Sequence, residues 1–120
     1  MTQEVPEAVP STTLYRWQRQ AQRVLDELLA EGEKLGLPPL AWTLAENGAL
    51  VGEAAQDDHD ERREAVRRWA AHVGAVVDNY HAGNGYEELH VDCEIVAKGA
   101  VGPVPSGFRA VIPPTRTERA

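Results

Sequence analysis

The sequence predicts an α+β domain of two layers, ordered helix–hairpin–helix–hairpin with a short closing strand, in which two helices lie on one face of an antiparallel sheet. Three observations predict it. Apolar residues recur every three or four positions between 12 and 36 and again in 58–73. Two other runs, 40–54 and 75–101, carry the alternation and the Asn-Gly turn signals of hairpins. Helices and hairpins that follow one another in this order bury their apolar sides against each other.

The first helix is expected after "STT" (11–13), whose hydroxyls are N-cap candidates. Leu14, Trp17, Ala21, Val24, Leu25, Leu28 and Leu35 form its stripe. Gly36, followed by Pro38 and Pro39, supplies the stop, and Gly32 is expected to weaken the last turn. In "LAWTLAENGALVGEA" (40–54), Asn47-Gly48 is the pair that a type I′ turn requires, since both central residues then take positive φ. The second helix spans about 58–73, with Val66, Trp69, Ala70 and Val73 on its stripe and Gly74 at its end. In the second hairpin, around Gly83-Asn84-Gly85, Leu89, Val91, Cys93 and Ile95 point one way and Glu88, His90, Asp92 and Glu94 the other. "GPVPSG" (102–107) reads as a loop and "FRAVI" (108–112) as a short last strand. Residues 1–11 and 113–120 read as flexible tails around one domain, 12–112. Trp17, Trp42 and Trp69 are expected in the core, because tryptophan at such spacing packs.

A chain of 120 residues with 42% apolar and 26% charged residues is an ordinary globular composition. One cysteine, Cys93, excludes an internal disulfide and a CxxC zinc cage. No secretory leader and no membrane-spanning apolar run is recognisable, so a cytoplasmic protein with no membrane contact is expected. The net charge of −7 is uneven: six acids and no Lys or Arg lie in 37–61, whereas 62–73 hold Arg62, Arg63, Arg67 and Arg68 against Glu64. An acidic field disfavours nucleic acid as a partner, although the arginine ridge of the second helix could oppose it locally.

Two clusters contain the residue types that bind metals or move protons. "QDDHDE" (56–61) surrounds His59 with Asp57, Asp58, Asp60 and Glu61. The position opens a helix, where unpaired N–H groups and the dipole attract carboxylates, so a cap with no metal is expected. Glu88, His90, Asp92 and Glu94 recur about 7 Å apart on one strand face and would suit Mn²⁺, Fe²⁺ or Zn²⁺. No HxH or HExxH spacing supports that, and an acidic, wet strand face accounts for them. Ser11 and Ser106 lack a nucleophile elbow, and Cys93 faces inward, where a thiol is a small hydrophobe. No catalytic residue, metal or cofactor is therefore assigned.

"LPPLAWTL", "GALVGEA" and "VRRWAAHVG", within about residues 35–75, resemble segments of small uncharacterised proteins of actinobacterial genomes, including phage and mobile-element neighbourhoods. The excess of Arg over Lys (ten against two) fits a GC-rich genome of that type. The resemblance implies no activity, cofactor or functional residue.

The function expected from these features is a non-catalytic protein-interaction module (an accessory, adaptor, inhibitor or immunity-like protein) that uses the acidic sheet face Glu88, His90, Asp92, Glu94. Its partner would be another protein, with a homodimer as one form. The alternatives are a small metal-dependent enzyme that adds His59 or His81 to that face, and a nucleic-acid binder through Arg62, Arg63, Arg67 and Arg68.

Overall fold

The computed structural model describes residues 8–99 and 102–114. The expected tails at 1–11 and 113–120 therefore lie mostly outside the described residues. Seven elements follow in order: α1 (Ser11–Leu35), β1 (Ala41–Leu44), β2 (Leu50–Glu53), α2 (His59–Val73), β3 (Asp78–His81), β4 (Glu87–Ile95) and β5 (Val104–Ile112). Among the described residues no helix is long and apolar enough to cross a membrane.

The chain is α+β, but its sheet is mixed, with order β1-β2-β5-β4-β3. The expectation of an antiparallel sheet is corrected by β5, which enters between the two hairpins. It runs antiparallel to β4 over nine residue pairs and parallel to β2 over four. The inner strands β2 and β4 oppose each other in direction, so any strand between them must be parallel to one. β5 is also nine residues long, taking in Val104–Gly107 from the expected loop. Pro105 and Gly107 disguised it. Pro105 stands opposite Glu94 and ahead of Ser106, where pairing with β2 begins, so its missing N–H removes no bond to β2.

Both helices pack on one side of this sheet. Ala21, Val24 and Leu28 of α1 and Ala65, Val66, Trp69 and Ala70 of α2 join Leu50, Leu89, Val91, Val104, Phe108, Ala110 and Ile112 in one core. Trp69 is its centre, 2% exposed, with its indole N–H donating to the Pro38 carbonyl at 2.7 Å. Its ring centroid lies 5.6 Å from Trp42 and 5.7 Å from Phe108. Gly32 of α1 is buried against it: a Cβ there would stand 3.0 Å from the indole. The expected weak point of α1 is thus where it meets Trp69 of α2.

Trp42 is half-buried, but Trp17 is 37% exposed and does not belong to the core. It packs against the β1–β2 turn, where its Cβ and backbone crowd Gly48. Leu35 is exposed as well, because Gly32 takes the inward position a turn earlier. Nor do Ser11–Thr13 cap α1. Pro10, in extended conformation, takes the cap position, its carbonyl accepts from the Thr13 and Leu14 N–H groups, and no side chain caps the helix.

The hairpin turns share a motif that sequence spacing concealed. In "AENGA" and "AGNGY", Gly48 donates to the Ala45 carbonyl and Gly85 to that of Ala82. The Asn47 and Asn84 side chains accept from the Ala49 and Tyr86 N–H groups. Only the glycines take positive φ, 86° and 89°. These are three-residue loops, a tight turn followed by a left-handed glycine, and the expected type I′ geometry is corrected accordingly.

Candidate functional site

"QDDHDE" resolves into a helix start. The Asp58 carboxylate accepts from the N–H groups of Asp60 (2.8 Å) and Glu61 (3.1 Å), capping α2. Asp60 is bound instead to Arg63, at 2.6 Å. His59 is the first helical residue and is half-buried. Asp58→Ala should lower stability by about 1 kcal/mol, the scale of an N-cap. His59→Ala should change it by less than about 0.5 kcal/mol. Chemical denaturation of the two variants checks both.

Half of the arginine ridge of α2 is engaged with its own chain. Arg62 donates from Nε to the Gln56 carbonyl and from Nη1 to the Val111 carbonyl at 2.9 Å, tying the helix to β5. Arg63 donates twice to Glu87 Oε1, at 3.0 and 2.8 Å, tying the helix to β4. Arg67 and Arg68 are exposed.

Glu87 has a side chain only 13% exposed, and it also accepts from the Asn79 amide. The Arg63 hydrogen bonds outweigh the cost of its burial and hold its carboxyl below the usual carboxylate range. A carboxyl whose folded pKa lies below its unfolded value stabilises the fold fully above the unfolded value, near 4.3 for Glu, and loses that contribution as pH falls through the folded one. Glu87→Gln should therefore flatten the acid limb of the stability–pH curve below about pH 5 and cost roughly 1–2 kcal/mol near neutrality. Urea titrations from pH 3 to 7 measure both.

The other face of the sheet carries no described element. It presents Glu88, His90, Asp92 and Glu94 of β4, as the alternation implies. The register adds neighbours that the sequence order hides. Asp78 lies beside His90, Arg109 beside His90 on the other side, and Glu53 beside Arg109, so one row crosses four strands. Tyr80 stands next to Glu88, and its ring centroid lies 5.2 Å from that of His90. His90 Nε2 lies 3.0 Å from Glu88 Oε1. The face thus carries five carboxylates (Glu53, Asp78, Glu88, Asp92, Glu94) and Arg109. The Arg109 Nε–H is buried with no partner among the described residues.

This arrangement is poor in chemistry. Among the described residues no group of three His, Cys, Asp or Glu side chains converges as a metal ion would need. His59 belongs to α2, on the covered side. His81 pairs with Glu87, whose carboxylate also turns towards that side to meet Arg63. Neither completes the row on the open face. Burial and the Asp92 carboxylate push the Cys93 thiol up, away from the reactive thiolate.

A second charged surface escaped the sequence reading. Arg16, Arg19 and Arg23 line an open groove of about 870 Å³ along α1, with Tyr15, Trp17 and Gln20. Their spacing of three and four residues is the sequence signal of that stripe.

Comparison with protein-family models, with curated proteins and with solved structures returns no match.

Proposed function

We propose that the protein is a non-catalytic interaction module that binds a basic surface of another protein through the uncovered sheet face. The observation that carries this is the composition of that face: five carboxylates against one arginine, on a sheet whose other side alone is packed by helices. Carboxylates so concentrated repel one another, and a cationic partner relieves the repulsion while raising the association rate. Glu88, His90 and Tyr80 hold one another in place and form a pre-ordered rim.

Charge also sets the kind of partner. A homodimer formed face to face would oppose acids to acids, which like-charge pairing disfavours. A different, basic chain is the better match. Adaptor, inhibitor and immunity-like roles all consist of such one-to-one capture, and each is compatible with the proposal.

The test uses the exposed pair Asp92 and Glu94. Asp92→Lys with Glu94→Lys reverses charge on the open face while leaving the core residues of β4 intact. Bait experiments comparing wild type with this double variant should recover a partner with the first and lose it with the second. Equal recovery by both would contradict the proposal.

A further inference from the structure

α1 gathers its arginines in one half and its acids in the other. Its first fifteen residues, 11–25, contain Arg16, Arg19 and Arg23 and no acid; its last ten contain Asp26, Glu27, Glu31 and Glu33 against Lys34. The helix dipole favours acids at the start and bases at the end. α2 obeys the rule, with Asp60 and Glu61 in its first turn and His72 in its last. In α1, Lys34 obeys it in the last turn but no acid opens the helix, and Arg16–Arg19 and Arg19–Arg23 are like-charge pairs at helical contact spacing. None of the three makes an ion pair among the described residues. Among the described residues Arg63 is the arginine that meets carboxylates, Glu87 and Asp60.

Arg16, Arg19 and Arg23 line the same groove, and no carboxylate lines it with them. Tyr15, 66% exposed, and Trp17, 37% exposed, border it, with Gly102 and Pro103 on the facing side. Aromatic surface left in water beside unpaired arginines is the combination that binds single-stranded nucleic acid: guanidinium groups meet phosphates, and aromatic faces take stacked bases. An acidic peptide would satisfy the arginines but leave the aromatic rings without a stacking partner.

We infer that the Arg16–Arg19–Arg23 flank of α1 is a binding site for single-stranded nucleic acid, with Tyr15 as a base-stacking platform. The site lies on a different element from the acidic sheet face and does not depend on the function proposed for that face. The acids of that face and of the second half of α1 keep the strand to this one flank.

Fluorescence anisotropy of the full chain with fluorescein-labelled dT15 tests the inference, beside a DNA duplex of equal length and a polyglutamate peptide as competitors. Binding is expected at 50 mM salt. The triple variant Arg16→Gln, Arg19→Gln, Arg23→Gln, which keeps good helix formers at exposed positions, should weaken it at least ten-fold. It should also reduce the salt-dependence slope by roughly 2, given about 0.7 for each phosphate contact on a single strand. Tyr15→Ala should weaken binding about five-fold or more with the slope unchanged, which separates stacking from charge. Absence of dT15 binding at 50 mM salt would overturn the inference. Competition by polyglutamate as effective as by unlabelled dT15, with Tyr15→Ala silent, would overturn it in favour of an acidic peptide. A duplex that binds more tightly than dT15 would overturn the single-strand assignment. Binding that survives the triple variant and is lost in Arg67→Gln with Arg68→Gln would return the contact to α2.

Discussion

Trp69→Ala should destabilise the fold by roughly 3–5 kcal/mol, the range for deleting a buried aromatic and a large share of the usual total of about 5–15 kcal/mol. Three consequences of one side chain add here. The indole fills the space among Trp42, Phe108 and the Gly32 backbone, so its removal leaves a cavity under the α1–α2 contact. Its N–H secures the Pro38 carbonyl, the point at which the chain leaves α1 for β1. Trp42 and Phe108, ring centroids 5.9 Å apart, lose a shared partner. Trp69→Phe should recover much of the packing and none of the hydrogen bond, falling between the two. Trp17→Ala should cost far less than Trp69→Ala, because Trp17 packs against a turn. Thermal or urea unfolding of the three variants ranks them.

Gly48→Val should cost roughly 2–4 kcal/mol, from left-handed strain together with overpacking. At φ 86° a β-branched residue is strained on its own account. A Cβ at this position would also stand 2.7 Å from Trp17 Cβ and 2.9 Å from the Trp17 backbone, which cannot retreat without shifting α1. Gly74→Val is the informative comparison. It also has positive φ, 74°, but nothing lies within 4 Å of the added carbon, so it should show the strain alone. Gly83→Ala should be nearly silent, since that glycine has neither positive φ nor a close neighbour. Equal losses at Gly48 and Gly74 would mean that Trp17 exerts no steric control over the turn.

The local elements were legible where periodicity and punctuation agreed. α2 is bounded by Asp58 and Gly74, both recognisable as caps, and β4 alternates without interruption. Legibility failed where a residue's meaning depended on its neighbours in space. Pro105 and Gly107 are loop signals along the chain, yet both lie in β5, Pro105 beyond the end of β2. Trp17 belongs to an apolar stripe by spacing, but it meets the β1–β2 turn at Gly48 and not the core. The direction of β5 follows from where it inserts, which no local pattern encodes.

The candidate site divides in the same way. Glu88, His90, Asp92 and Glu94 share a face by strand geometry alone, and that was readable. Their association with Glu53, Asp78, Tyr80 and Arg109 is a product of register across four strands. The engagement of Arg62 and Arg63 by β5 and β4 is likewise tertiary, so the cluster that looked most basic in one dimension is half committed to holding α2 in place.

The proposed interaction face is tested most directly by amide and side-chain chemical-shift mapping of the isotope-labelled chain, titrated with the partner recovered by wild-type bait. The proposal predicts that the largest shifts fall on Glu53, Asp78, Glu88, His90, Asp92, Glu94 and Arg109, and that they vanish in the Asp92→Lys, Glu94→Lys variant. Shifts confined to α1 and α2, with the β4 and β5 resonances of the open face unmoved, would contradict it.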